Sequence, residues 1–141
     1  MEKRLKVYRV DRGGDRIPGA EEREEIARIG AELISVDSNS EDETIVKAKD
    51  ADAIITTAAR ISRKVLDNLP RLQVVVRYGI GYDTIDVDAA TEHHVLVVNI
   101  PDYCIEEVSN HAMALFLSCA RRLPVLASRT NMLAGRRMPG R

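Results

Sequence analysis

Two glycines one residue apart, in Arg77-Tyr78-Gly79-Ile80-Gly81-Tyr82-Asp83, are the residues of this chain best suited to hold a ligand. They follow a short apolar run, Val74-Val75-Val76, and leave the main chain bare at the carboxyl end of a buried strand. Bare N–H groups can approach a small anion that a side chain would hold off. The spacing argues against a dinucleotide fingerprint, because Thr84 stands where the third glycine of G-x-G-x-x-G belongs. The acidic residue expected at the end of the next strand is also lacking, since that strand ends in Val98-Asn99. No G-x-x-x-x-G-K-[ST] occurs, which argues against a nucleoside triphosphate. Related sheet proteins that bind phosphate, or receive it, need Ser/Thr after the first strand or Asp after the third. Here those places hold Asp11-Arg12-Gly13-Gly14 and Thr56-Thr57.

Few other side chains offer chemistry. Glu107 and His111 are one helical turn apart, and such a couple either moves protons or simply braces a helix face. His93-His94, at the end of a helix, read as a polar cap on the negative end of its dipole. Cys104 falls in the loop after the last strand, on the side of Gly81, but no base or orienting partner activates it. Cys104 and Cys119 are widely spaced and lack neighbouring ligand residues, so the expectation is free thiols in a reducing cytoplasm and no metal.

The elements that position the glycine loop follow from the apolar pattern. Strands are expected at residues 5–10, 33–36, 53–56, 74–76 and 95–98, the last two buried on both faces. Between them lie a helix opening at Pro18 and Glu21 with Ile26, Ile29 and Leu33 on one face, and a polar helix or loop at 38–49. A short helix follows, capped by Ser62, carrying Val65, Leu66 and Leu69 and stopped by Pro70; another opens at Asp86. Strand and helix alternating in this way predict an α/β fold, a parallel sheet covered on both faces. Residues 104–123 read as one long helix ended by Pro124, with a second short helix at 125–134 and a tail from Gly135 that has no core pattern and looks cut. The apolar stripe of the long helix, Ile105, Val108, Ala112, Leu115, Phe116 and Ala120, is wide enough to call for a partner.

The 141 residues suffice for one domain with a real core. A net charge of −1 from interspersed signs gives no footprint for nucleic acid. No apolar run approaches the ~18 residues of a membrane span.

Three segments together resemble the D-isomer-specific 2-hydroxyacid dehydrogenases: Arg77-Tyr78-Gly79-Ile80-Gly81-Tyr82-Asp83-Thr84-Ile85-Asp86, Asn99-Ile100-Pro101-Asp102-Tyr103-Cys104, and Glu107-Val108-Ser109-Asn110-His111-Ala112-Met113-Ala114-Leu115. The last two are most similar to the C-terminal-binding-protein-like and phosphoglycerate-dehydrogenase-like branches. The resemblance implies a flavodoxin-like, doubly wound, five-stranded parallel sheet of order 2-1-3-4-5 over residues 1–100. Residues 101–141 would then be linker and dimerisation helices leading towards a Rossmann NAD domain that the chain lacks. It implies a substrate carboxylate on the glycine loop, Tyr78, Gly79, Ile80 and Gly81, with contacts from Thr56, Thr57 and Ala58 after the third strand. Tyr103 and Cys104 would close the cleft after the fifth. The family's catalytic Arg, Glu and His lie later than these residues, so His111 is not the catalytic histidine and no catalytic residue is expected here. The implied whole is a cytoplasmic homodimer, paired through the Ile105–Ala120 helix. It would interconvert a 2-hydroxy and a 2-keto acid with NAD, which these residues alone would neither bind tightly nor use. The alternatives are a corepressor-like protein-binding module and a freestanding dimerising domain.

Overall fold

The computed structural model describes residues 4–11 and 19–133, with side chains to residue 130. The expected glycine turn at Gly13-Gly14, the helix opening at Pro18 and the tail from Gly135 lie outside the described residues. The chain divides into two compact units, Met1–Tyr103 and Cys104–Arg141.

In the first unit β1 (Lys6–Asp11), β2 (Glu32–Asp37), β3 (Ala53–Thr56), β4 (Val74–Arg77) and β5 (Leu96–Val98) alternate with α1 (Ala20–Arg28), α2 (Glu41–Lys47), α3 (Arg63–Asn68) and α4 (Val87–Glu92). The five strands form one sheet in the order β2-β1-β3-β4-β5, and every pairing is parallel. This is the α/β architecture and strand order expected from the sequence. Successive residues of a strand face opposite sides, and the core divides accordingly. Tyr8, Val10, Ile54 and Val75 point to the larger cluster, closed by Ile61, Val65, Leu66, Leu69, Ala89 and Ala90 around α3 and α4. Val7 and Ile55 point the other way, towards Ile26 of α1 and the partly buried Val76 and Tyr78.

Local signals explain most boundaries. Ser40 caps α2 by accepting from the Glu43 amide at 3.2 Å, and Asp86 caps α4 by accepting from the Ala89 amide at 2.9 Å. Ser62 stands at the N-cap of α3, but its side chain makes no capping bond.

Several expectations need correction. Ile29 is the C-cap of α1 and 66% exposed, while Leu33 belongs to β2, so neither extends the helix face. In β4 only Val75 is fully buried. In β5 Leu96 is 61% exposed, because β5 is the sheet edge and pairs with β4 alone. The second unit is not one helix to Leu123 but α5 (Ile105–Ala120) and α6 (Leu123–Leu133). The break comes at Arg122, in the left-handed region at φ 52°. Pro124 lies in the first turn of α6, where its missing N–H has no helical partner to lose. It starts a helix where the sequence reading had it stop one.

Candidate functional site

Parallel strands bring their carboxyl ends to one edge of the sheet, and hydrogen bonds stitch those ends together. Beside β1, the amide of Thr57 donates to the Asp11 carboxylate at 2.8 Å, and the Thr57 hydroxyl donates to the same oxygen. The amide of Tyr78 donates to the Thr56 carbonyl at 2.9 Å, tying β4 to β3. The amide of Ile100 donates to the Gly79 carbonyl at 3.1 Å, and Asn99 Nδ2 to the Ile80 carbonyl at 2.8 Å, tying β5 to the glycine loop.

These last two bonds set the loop's chemistry. A trans peptide is planar and points its N–H opposite to its C=O. The Gly79 carbonyl is held by Ile100, so the Ile80 N–H on the same peptide faces away. The Ile80 carbonyl is held by Asn99, so the Gly81 N–H faces away too. Neither amide donates to any atom among the described residues, and both residues are exposed. The preceding peptide is turned by the Gly79 amide, which donates to the Arg77 carbonyl at 2.9 Å. A Cβ on Gly79 would meet the Arg77 guanidinium, the far end of a flexible side chain that would have to shift to make room. Downstream the loop is pinned by Ile61: its amide donates to the Thr84 carbonyl at 2.9 Å, and its carbonyl accepts from the Asp86 amide at 2.9 Å. Two exposed amides on a fixed frame can donate to a carboxylate's oxygens without reorganising.

On the α1 side of this edge lies a buried charge cluster. Arg9 is buried, contacts the Asp11 carboxylate at 3.2 Å and pairs with Glu22. Its guanidinium carbon sits 5.3 Å from the centre of the Tyr78 ring, a cation–π distance. Burial, with help from the nearby Glu22 carboxylate, pushes the Tyr78 phenol above its ordinary value, so the hydroxyl is neutral at pH 7.

The residues singled out from the sequence have different surroundings. Thr56 is fully buried, and its hydroxyl accepts from the Ala59 amide at 2.8 Å. Thr57 is committed to Asp11, while Ala58 is exposed. Tyr78 and Gly79 form the base of the loop, and Ile80 and Gly81 its open rim. Tyr103 is exposed at the end of the first unit, and Cys104 opens the second as the N-cap of α5, without a side-chain capping bond. Among the described residues no hydrogen bond or ion pair joins Glu107 to His111; the two flank Val108, Ala112 and Leu115 along one apolar groove of α5. His93 is the C-cap of α4, and its Nε2 lies 2.8 Å from Asp67. No cluster of metal-ligating side chains occurs among the described residues. The sequence reading missed Asn99, Arg77 and Asp11. A polar amide at the last position before Ile100-Pro101, beside a glycine loop, is the signal that points to Asn99.

The loop does not fit a dinucleotide. The helix after it, α4, does not begin until Val87, and its first turn is already capped by Asp86. NAD would therefore find no helix N-terminus at these glycines.

Comparison with known proteins agrees with the fold. Residues 15–135 match the model of the D-isomer specific 2-hydroxyacid dehydrogenase catalytic domain. The chain is 44% identical over 78 residues to a glyoxylate reductase of Pyrococcus furiosus, a match covering 55% of this chain and 23% of that protein. It is 38% identical over 102 residues to a D-3-phosphoglycerate dehydrogenase of Mycobacterium bovis, covering 70% of this chain and 19% of that protein. An acyclic imino acid reductase solved with NADPH and D-Arg superposes with a TM-score of 0.75 at 22% identity, over 96% of this chain and 43% of that one. The chain thus spans less than a quarter of the curated relatives and under half of the solved structure. With the family match running through the glycine loop and both of its clamps, the chain belongs to the D-isomer specific 2-hydroxyacid dehydrogenases and carries sequence of their catalytic domain.

Proposed function

We propose that this chain is the substrate-binding portion of an NAD-dependent D-2-hydroxyacid dehydrogenase, an oxidoreductase that interconverts 2-hydroxy and 2-keto acids. The observation that carries this reading is the pair of exposed amides at Ile80 and Gly81, without a partner among the described residues, each on a peptide whose carbonyl is clamped. A small acid would rest its carboxylate there, with Tyr78 and Gly79 beneath it. Ala58 and Tyr103 would shape the cleft; Thr56 and Thr57 would hold its frame. The relatives named above are called after glyoxylate and 3-phosphoglycerate, both small acids with a carboxylate. NAD would supply the hydride, held by polypeptide other than these glycines. The 141 residues by themselves would bind a keto acid and not reduce it. Within residues 101–141, α5 and α6 would serve as linker and dimerisation helices, α5 pairing two copies through its exposed Ile105, Val108 and Phe116.

The test is an NMR titration of the isotope-labelled chain with glyoxylate. The Ile80 and Gly81 amide resonances are expected to move most; stationary resonances there would end the reading. A parallel assay of NADH oxidation with glyoxylate, pyruvate and hydroxypyruvate is expected to show no turnover. Turnover would refute the claim that this portion is inactive alone.

A further inference from the structure

The amino edge of the sheet, opposite the glycine loop, holds a cleft of about 500 Å³. Arg71, Gln73, His93 and His94 line it with Leu5 and Pro70, all from the segments that lead into β1, β4 and β5. Asp52 holds the Arg71 guanidinium from one side: Nη2 donates to its two carboxylate oxygens at 2.6 and 2.8 Å, and Nε to Oδ1 at 3.2 Å. The Lys6 amide donates to the same carboxylate at 2.8 Å. Among the described residues Nη1 has no acceptor, and neither the Gln73 side chain nor the His94 ring has a partner. His94 follows the C-cap of α4 in the left-handed region at φ 57°. Its amide donates to the Thr91 carbonyl at 3.1 Å and the Val95 amide to the Ala90 carbonyl at 2.8 Å, the paired bonds of a Schellman turn. Glycine suits that place best, since a Cβ strains it. The turn therefore does not call for a histidine, and the exposed ring holds no other part of the chain among the described residues.

We propose that this cleft binds a small organic phosphate. Arg71 Nη1, the Gln73 amide and the His94 ring stand at separate places on its wall. A tetrahedral phosphate accepts from several directions and pairs with a guanidinium, whereas a planar carboxylate suits such a set less well. Because Asp52 already holds the guanidinium's far side, its free nitrogen loses little freedom on binding. Leu5 and Pro70 offer apolar surface to the ligand's carbon body. The site lies at the end of the sheet away from the Ile80 and Gly81 amides, and stands whether or not those amides hold a carboxylate.

The test is an NMR titration of the isotope-labelled 141-residue chain with glycerol 3-phosphate, inorganic phosphate and acetate. Glycerol 3-phosphate is expected to move the Gln73, His94 and Arg71 Nε resonances ahead of those of Ile80 and Gly81. Inorganic phosphate moves the same set at lower affinity, and acetate leaves it in place. His94→Gly separates binding from folding: it raises the urea midpoint by relieving the turn, yet weakens glycerol 3-phosphate binding about tenfold, the scale of one hydrogen bond to a charged group. Gln73→Ala, on an exposed residue, weakens binding with the midpoint unchanged. Arg71→Met weakens it as well; should the loss of Asp52's partner unfold that variant, His94→Gly and Gln73→Ala decide the question. Wild-type affinity in either of those two overturns the site, as does a phosphate response confined to the glycine loop. A lowered midpoint in His94→Gly shows that the ring serves the fold, and overturns it too. Acetate bound as tightly as the phosphates, or inorganic phosphate as tightly as glycerol 3-phosphate, overturns the ligand class.

Discussion

The glycine loop owes its two outward amides to residues outside it. Removing the Asn99 side chain frees the Ile80 carbonyl and lets that peptide rotate. Asn99→Ala is therefore expected to weaken keto-acid binding about tenfold while costing only about 1 kcal/mol of stability, a typical single hydrogen bond. Urea denaturation set beside an NMR titration checks both; a loss of stability with unchanged binding would refute the clamp. At the other edge of the sheet, Asp50 accepts from Lys6 Nζ at 2.6 Å and from the Tyr8 hydroxyl at 2.7 Å. The Lys6 and Tyr8 bonds hold the Asp50 carboxyl at about 2, below its ordinary 3.8. Since this value is depressed, the associated stability is present above about pH 4 and is lost as pH falls through about 2. Burial, then the Asp50 bond, pushes the Tyr8 phenol up to about 12 from 10.0. That contribution is complete below pH 10 and is lost as pH rises through about 12. Asp50→Asn is expected to flatten the acid limb of a stability–pH profile; an unchanged limb would show that the contact carries no linkage.

Among the helices and strands, the apolar pattern of the sequence specified type and order better than burial. Alternation of apolar runs with amphipathic stretches located all five strands of the sheet, and Asp86 marked the start of α4 as its cap. What the pattern could not express was position within the sheet. Leu96 and Val98 read like Val75, yet an edge strand has a neighbour on one side only, and they stay open. Ile29 continued a helical stripe on paper, but α1 ends at Arg28 and the side chain faces solvent. Ile54→Ala should therefore cost about 2–5 kcal/mol, since Ile54 is fully buried between β1 and β4. Ile29→Ala should stay within about 0.5 kcal/mol. Chemical denaturation of both variants checks the contrast, and equal costs would contradict the assigned core.

For the molecule as a whole, the two units raise the question of assembly. The exposed apolar residues of α5, with Phe116 at 67% exposure, support the proposed pairing of copies. Light scattering is expected to show a concentration-dependent dimer, abolished by Phe116→Glu; a monomer at every concentration would remove the pairing. No described helix is long and apolar enough to cross a membrane. The sequence by itself determined the α/β class, the strand order through its family resemblance, the position of the glycine loop and its departure from the G-x-G-x-x-G spacing. All of these depend on residue type and local spacing, which a linear chain states directly. Only the tertiary structure decided which amides are free. That depends on Asn99 and Ile100 arriving from the next strand to hold the loop's carbonyls, and on Arg77 folding into the space above Gly79. Thr56 and Thr57 likewise became parts of the frame because Ala59 and Asp11, one near and one remote in sequence, reach them across the sheet's end. Hydrogen-bond partners distant along the chain leave no periodic trace, since period records which face is buried and not what meets it there.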